Sequence, residues 1–319
     1  MRRPVGSTPQ RTSVLCPVDF SSGSRAALRT AATLARARGA TLDIVYVNDP
    51  LLVAAAAAAW NRASLGAASE QELARFVARV LGPRTMQTLP TRYHTALGRP
   101  AAEIQRVASR LGSDLIVTGS RGLSGPKRLL LGSTTATLLH RAPVSVLAVP
   151  TTQPGTARAS AGRARAGGVQ TVLAAVALGR QATDDVRRAA EVARQYHASL
   201  VLLHVVPQPS LPAWLSVDFE AHLARAVGRA TRTLERLAAD LVDVPVTVDV
   251  RIGHPAEAIG HAASAHAANL IVMVRRADGT LFGQPAGACT YEVLCHAAVP
   301  VLALPEREPR LRRRQRVGG

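Results

Sequence analysis

The chain is poor in aromatic residues and cysteine, and each shortage narrows the range of functions. Aromatic residues make up 3 % of the sequence, which leaves few positions on which the bases of a single-stranded nucleic acid could stack. The three cysteines, Cys16, Cys289 and Cys295, form an odd and sparse set without framework or metal-binding spacing. Such a set favours a reducing compartment over secretion. We therefore expect a cytoplasmic protein, and we assign no metal ligands.

Long apolar runs are also missing. The richest one, Pro50–Trp60, spans 11 residues, whereas a membrane helix needs roughly 20. The first 17 residues contain arginine and proline but no apolar core of the length that a signal peptide needs. The sequence therefore predicts neither export nor membrane insertion.

Positive charge is abundant and uneven. The formal net charge is +18, with 38 arginines and one lysine, and much of it lies in residues 1–12, 151–168 and 306–319. Such flanks can attract nucleic acid or membrane headgroups. The accompanying richness in alanine favours a compositional bias instead, and no nucleic-acid reader motif is present. Association with nucleic acid through the flanks is therefore an alternative and not our main expectation.

The two halves of the chain resemble each other at a shift of 155 residues. Gly98-Arg99-Pro100-Ala101 corresponds to Gly253-His254-Pro255-Ala256, and Leu147-Ala148-Val149-Pro150 to Leu302-Ala303-Leu304-Pro305. A period of this length indicates two duplicated domains, which 319 residues with 47 % hydrophobic content can support. The predicted parts are a basic extension at 1–12, domains at 13–150 and 169–305, a linker at 151–168 and an Arg-rich tail at 306–319.

Apolar runs of strand length alternate with segments of helical period in both halves. Continuous β-branched strands that alternate with helices are typical of a parallel sheet covered on both faces. The predicted strands are Ser13–Val18, Thr41–Val47, Thr88–Ala96, Asp114–Thr118, Val144–Val149, Val172–Val176, Ser199–Val206, Pro245–Val250, Asn269–Val274 and Val299–Leu304. The predicted helices of the first half are Ser22–Arg38, Glu70–Val80, Pro100–Leu111 and Ser133–Arg141. The sequence therefore predicts an α/β fold of two tandem, doubly wound parallel-sheet domains of Rossmann-like type.

The most informative motif follows the fourth predicted strand. Gly119 and Gly122 are followed, after nine further residues, by Gly132-Ser133. Glycines let a backbone approach an anion, and a Gly-Ser pair at the start of a helix offers N–H donors and a hydroxyl group to phosphate. The pattern is not a Walker A loop, because no Gly-Lys-Ser/Thr occurs, and the first strand-helix turn lacks a dinucleotide fingerprint. We interpret the motif as a phosphate cradle.

This motif resembles that of the universal stress protein family, in its ATP-binding branch and in a tandem two-domain form. The resemblance is supported by Cys16-Pro17-Val18-Asp19-Phe20-Ser21 at the end of the first strand, by Tyr46-Val47 at the end of the second, and by the Gly98-x-Pro100 turn. It covers nearly all of residues 13–150 and, more weakly, 170–305. It implies that each domain has the fold of that family.

The resemblance also implies binding of ATP, often together with magnesium or manganese. Val47 would offer backbone hydrogen bonds to adenine, and Asp19 would lie near the adenine and ribose. Asp19 could alternatively cap the following helix together with Ser21 or Ser22, and Lys127, the single lysine, could meet a phosphate or remain a solvated loop charge. The candidate ligand-binding residues are Pro17, Val18, Asp19, Val47, Gly119, Arg121, Gly122, Lys127, Gly132, Ser133 and Thr134.

The second half departs from the motif. At the shift of 155 residues Val274 stands in place of Gly119, and Ala277 and Ala288 stand in place of Gly122 and Ser133. Aligning the first strands of the two halves places Ala177 where Asp19 stands. A branched side chain at position 274 would obstruct the approach of phosphate to the backbone. We therefore expect one nucleotide site per chain, in the first domain.

These observations favour an ATP-binding regulatory protein of the stress-response type, without catalysis or with very slow hydrolysis, in which nucleotide occupancy modulates contacts with an unknown protein. A hydrolysing or adenylating enzyme of related architecture is the alternative; we assign no catalytic residues. The resemblance implies that the last strands of the two domains pair as an intramolecular pseudo-dimer and that chains form a homodimer. The insertion Leu51–Gly66, with Trp60, could cover the cleft or pack as a helix, and Trp214 occupies the corresponding place in the second half.

Overall fold

The computed structural model describes residues 12–57, 62–120, 131–151, 169–208, 219–275, 280–281, 284–285, 292–294 and 297–306. Several candidate positions lie outside the described residues: Arg121, Gly122, Lys127, Trp60 and Trp214. The greater part of the basic flanks lies outside them as well. No helix in the described part of the chain is both long and apolar enough to cross a membrane.

The first half alternates strands and helices. Its strands are β1 (Ser13–Pro17), β2 (Thr41–Asn48), β3 (Thr91–Leu97), β4 (Leu115–Gly119) and β5 (Ser145–Val149). Its helices are α1 (Ser22–Ala37), α2 (Pro50–Ala57), α3 (Arg62–Leu81), α4 (Pro83–Thr88), α5 (Pro100–Leu111) and α6 (Ser133–Arg141).

The second half repeats this order in the residues that the structure describes. Its strands are β6 (Thr171–Ala175), β7 (Ser199–Val206), β8 (Val246–Ile252), β9 (Leu270–Val274), the two-residue strands β10 (Thr280–Leu281) and β11 (Gln284–Pro285), and β12 (Val301–Leu304). Its helices are α7 (Ala182–Gln195), α8 (Phe219–Ala239) and α9 (Pro255–Ala265).

Ten of the strands form one continuous sheet in the order β3-β2-β1-β4-β5-β12-β9-β6-β7-β8. Within each half all neighbours are parallel. The halves meet where β12 pairs antiparallel with β5, with Val301 opposite Ala148 and Ala303 opposite Val146. The predicted α/β fold of two doubly wound repeats is confirmed, and so is the pairing of their last strands.

Two predicted boundaries in the first half are wrong. The third strand begins at Thr91 and not at Thr88, because the short helix α4 occupies the preceding residues. Gly82, with φ of 75°, turns the chain, and Pro83 provides the fixed φ that suits the first position of a helix. The second predicted helix is longer than Glu70–Val80, since α3 begins at Arg62.

Both faces of the sheet are covered by helices, as its buried strands require. One hydrophobic core lies under α1, α3, α7 and α8, with Leu28 and Leu234 fully buried in it. The other lies under α5, α6 and α9, with Leu138 and Ile259 fully buried. Each core contains residues of both halves. Successive side chains of β5 and of β12 point to opposite faces of the sheet, so both strands contribute residues to both cores.

A buried carboxylate lies near the amino end of the first three strands. Both oxygens of Asp43, which is 0 % exposed, accept hydrogen bonds from Arg92 at 2.8 Å. His94 Nε2 lies 2.7 Å from Oδ1, and the Ser13 hydroxyl donates to Oδ2 at 2.7 Å. Although burial by itself raises the pKa of Asp43, the hydrogen bonds from His94, Arg92 and Ser13 outweigh it and lower the pKa to about 2. The ionised carboxylate therefore stabilises the fold.

We expect Asp43→Asn to lower the free energy of unfolding at pH 7 by about 2 kcal/mol, because a neutral amide cannot replace the charge-assisted hydrogen bonds that the buried carboxylate accepts. The pKa of Asp43 is below its ordinary value. The ionised carboxylate therefore stabilises the folded protein above about pH 4, and this stabilisation is lost as the pH falls towards 2. The difference in the free energy of unfolding between wild type and variant should become smaller as the pH falls through that range. Urea unfolding monitored by circular dichroism at several pH values measures it.

The matched control is Asp114→Asn. Asp114 is 48 % exposed and its nearest arginine nitrogen, on Arg38, is 3.9 Å away, so the loss should stay below about 1 kcal/mol. A loss at Asp43 as small as at Asp114 would contradict the role of the buried carboxylate.

Candidate functional site

The order of the strands reverses between β1 and β4, which places a crevice beyond their carboxyl ends. From β1 the chain proceeds outward to β2 and β3, and β4 returns to the other side of β1. In open α/β sheets ligands bind at such a switch point. The segments that follow β1, β2 and β4 therefore form the candidate site.

Asp19 lies in the turn between β1 and α1. Its Oδ1 accepts a hydrogen bond from the backbone N–H of Ser21 at 3.1 Å. The Ser21 hydroxyl in turn accepts from the N–H of Ser24 at 3.1 Å and caps α1. The capping arrangement considered for these residues is therefore present, with Ser21 as the cap and Asp19 fixing its backbone. Pro17 and Val18 precede this turn, and the Val18 N–H donates to Val45 at 2.9 Å.

Aromatic rings line the side of this turn. Phe20 adopts a φ of 64°, which is unusual for a residue with a side chain. Its ring packs against Tyr46, with centroids 4.8 Å apart, and edge-on against Phe76 at 5.2 Å. Burial raises the pKa of Tyr46, and the nearby charges of Asp19 and Asp49 raise it further. Asp19 and the end of β2 thus lie close together.

The backbone of Val47 is directed into the crevice. In a strand, successive residues direct their N–H and C=O groups to opposite neighbours. The Leu42 N–H and the Asn48 C=O bond to the chain on the β3 side, whereas the Val45 C=O accepts from Val18 on the β1 side. The N–H and C=O of Val47 therefore point to the β1 side, beyond the last pair of the two strands, Pro17 with Val45.

Gly119 ends β4 in close contact with α1. A Cβ atom at this position would lie 2.7 Å from the carbonyl carbon of Gly23 and 2.8 Å from its oxygen. Backbone atoms cannot yield as a flexible side chain can, so only glycine allows α1 to lie this near to β4. This explains Gly119 by packing between two main chains, and its proposed contact with a ligand remains a prediction.

The first turn of α6 lies directly beyond β4. The Gly132 N–H donates to the Ser120 carbonyl at 3.0 Å, and the Thr135 hydroxyl donates to the Gly119 carbonyl at 2.8 Å. Gly132, at the N-cap, provides no side-chain cap, and the first turn contains no acidic residue. Among the described residues no acceptor bonds the N–H groups of Ser133, Thr134 or Thr135. This turn presents donors and a partial positive charge of the kind that bind anions.

The structure brings together candidate residues at or beyond the carboxyl ends of three adjacent strands: Pro17, Val18, Asp19, Val47, Gly119, Gly132, Ser133 and Thr134. Sequence reasoning did not identify Gly23 or Thr135 as structural parts of the site. A glycine in the first turn of a helix was a visible signal for Gly23, because that position otherwise disfavours glycine. Nothing in the sequence pattern indicated that Thr135 would bond Gly119.

The corresponding crevice of the second half is arranged differently. His204 stands where Tyr46 stands, and its Nδ1 lies 2.8 Å from the Val176 carbonyl. Burial lowers the pKa of His204, which favours the neutral ring. Val205, the counterpart of Val47, is fully buried, and Val274 replaces Gly119. The side chains at these three equivalent positions therefore differ between the two halves, in type or in burial.

Comparison with known proteins agrees with this architecture. The sequence profile of the universal stress protein family matches residues 11–150 and again 168–305. Universal stress protein A homolog 1 of Coxiella burnetii is 30 % identical over 138 residues, which cover 43 % of this chain and 94 % of that protein.

Solved structures share the fold over nearly the whole chain. A universal stress protein from Archaeoglobus fulgidus DSM 4304 matches with a TM-score of 0.64 at 19 % sequence identity. The match covers 94 % of this chain and 98 % of that protein's chain. A candidate universal stress protein from Pseudomonas aeruginosa UCBPP-PA14 has a TM-score of 0.59 at 17 % identity, with 92 % and 93 % covered. At these identities the likeness establishes the fold.

We expect Gly119→Ala to lower the free energy of unfolding by about 2 kcal/mol, because the added methyl group forces α1 away from β4. The matched control is Gly260→Ala in α9, where an added Cβ would meet nothing within 4 Å. That change should raise stability by up to about 1 kcal/mol, as alanine favours helix interiors. Urea midpoints measure both, and shifts of the same sign would contradict the packing argument.

Proposed function

Because the chain belongs to the universal stress protein family, we propose that it binds one ATP molecule in the crevice of its first half and acts as a nucleotide-dependent regulatory protein. The observation that carries this proposal is the set of N–H groups in the first turn of α6. Three N–H groups there have no acceptor among the described residues, and no carboxylate competes for them within that turn. A triphosphate supplies the acceptors that such a turn lacks.

The residues at the ends of β1 and β2 support our placement of the other end of the nucleotide. The N–H and C=O groups of Val47 offer a donor and an acceptor, which suits the edge of an adenine ring. Asp19 comes directly after the neighbouring strand, β1. Its carboxylate is suited to accept hydrogen bonds from ribose hydroxyl groups. The aromatic pair Phe20 and Tyr46 holds this turn in place.

Magnesium or manganese would enter this site with the triphosphate. Among the described residues no three histidine, cysteine, aspartate or glutamate side chains lie close enough together to hold a metal ion. Magnesium commonly keeps several water ligands and takes others from phosphate oxygens. We therefore expect the ion to depend on the nucleotide, and we assign no metal-binding residue to the protein.

We infer a regulatory role for nucleotide occupancy and no dedicated catalytic residues. A ligand shifts a conformational equilibrium only by its different affinity for two states, so ATP would act through contacts that depend on α6 and the segment before it. The partner would be another protein in the cytoplasm, and chains would associate as homodimers. The second half, which lacks the glycine motif, would serve as a scaffold.

We expect Thr134→Asp to weaken ATP binding at least about tenfold, because it places a carboxylate in the turn proposed to hold phosphates. Aspartate is favourable in the first turn of a helix, so the thermal midpoint should not fall. Thr134→Asn is the matched control, since asparagine has nearly the same shape without the charge, and its effect should be clearly smaller. Isothermal titration of nucleotide-free protein with Mg-ATP measures both variants. Equal affinity in the two would contradict phosphate binding at this turn.

We also expect one ATP per chain at saturation, because in the second half Val274 stands in place of Gly119 and the His204 ring bonds the Val176 carbonyl. Denaturing the saturated protein and counting the released nucleotide by chromatography gives the number. Thr134→Asp, loaded at an ATP concentration that just saturates the wild type, should release clearly less. Two equivalents per chain would show that the second half binds nucleotide as well. No binding at any concentration would overturn the proposed function.

A further inference from the structure

Arg275 follows β9 in the second half and extends into the first half. In the repeat it corresponds to Ser120, and Val274 before it corresponds to Gly119. The second half therefore has a long cationic side chain where the first half begins its glycine-containing loop. The side chain is partly buried at the junction of the two halves.

The guanidinium group of Arg275 contacts the carboxyl end of α6. Its two terminal nitrogens donate to three backbone carbonyls, to Leu139 at 2.9 Å, to Ala142 at 2.6 Å and to Val144 at 3.2 Å. Ala142 is the residue that ends α6, and β5 begins just after Val144. One side chain of the second half thus ties together the last turn of α6 and the entry to β5.

These contacts satisfy groups that a helix leaves unbonded. The last carbonyls of a helix have no intrahelical partners and carry its negative partial charge, so a cation is favourable there. Burial, with a smaller contribution from the charge of Arg188, lowers the pKa of Arg275 to about 10. The group therefore remains charged at neutral pH.

The two ends of α6 have different functions in this arrangement. The amino end is the turn to which we assign the phosphates, and the carboxyl end is held by Arg275. The helix has nine residues and is therefore about 13 Å long. The side chains of Leu138 and Leu139, near its carboxyl end, are buried.

We propose that Arg275 is a positioning residue for the nucleotide site: it holds the carboxyl end of α6 from the second half, so that nucleotide binding and the contact between the halves are coupled. The ligand assignment rests on the proposed function, whereas the hold on α6 does not. Thermodynamic linkage is reciprocal. If the contact between Arg275 and α6 increases the affinity for nucleotide by some factor, a bound nucleotide strengthens that contact by the same factor. The second half would thereby regulate a site to which it contributes no ligand contact.

The test compares Arg275→Met with Arg188→Met. Arg188 is the matched control because it lies near Arg275 and also donates to a backbone carbonyl, that of Pro305 at 2.6 Å, but within its own half. Arg275→Lys is the conservative variant: it keeps the charge but has one nitrogen, which cannot reach all three carbonyls as a guanidinium group does. Amide hydrogen exchange of α6 and titration with Mg-ATP are measured on all proteins.

We expect Arg275→Met to speed exchange in the last turn of α6 about tenfold, as loss of charge-assisted hydrogen bonds predicts. Its ATP affinity should fall at least about fivefold, the lower end of usual coupling between sites. Arg275→Lys should recover part of both effects, and Arg188→Met should stay within about twofold of wild type in both. In wild type, ATP should slow exchange in α6 and β12.

Three results would overturn the proposal: unchanged exchange in Arg275→Met, unchanged ATP affinity in that variant, or equal effects of Arg188→Met. Should the methionine variant fail to fold, the same criteria apply to Arg275→Lys, where an effect no larger than in Arg188→Met would count against the proposal. If the wild-type protein binds no ATP, the proposed function fails and the coupling to nucleotide fails with it. Exchange in α6 without nucleotide then decides separately whether Arg275 holds the helix.

Discussion

The antiparallel pairing of β5 with β12 is the contact on which the arrangement of the molecule depends. An unpaired edge strand would expose backbone groups at the end of each five-stranded half. The pairing covers both edges at once and extends two hydrophobic cores through the junction. Because α6 leads directly into β5, the helix of the candidate phosphate site is attached to the strand that joins the halves. The site and the junction are therefore neighbours in the structure.

The two halves have the same fold, and among the described residues they differ in side chains at equivalent positions of the two crevices. In the first half, Gly119 allows α1 to approach β4 so that the turn with Asp19 lies beside the strand end. In the second half a valine stands in that place, and His204 bonds the Val176 carbonyl. Family membership explains the shared fold, whereas these side chains are the reason that we assign nucleotide to one half.

Arginine is so frequent in this chain that its count alone carries little information about function. Two of the arginines have defined structural tasks. Arg92 compensates the buried carboxylate of Asp43 near the amino ends of the strands, and Arg275 holds the last turn of α6 at the junction. In each case the guanidinium group makes several directed hydrogen bonds, which a lysine could not reproduce.

Local sequence determined much of the architecture, since α5, α6 and β7 have the bounds that periodicity and capping predict. It also determined that one half keeps the glycine motif and the other has lost it. The local sequence did not predict the start of β3, because the helix that begins after Gly82, at Pro83, is too short to show a clear helical period. Only the tertiary structure decided that Gly119 faces Gly23 and that Arg275 reaches Leu139, because these pairs are far apart in sequence and no local pattern records such contacts.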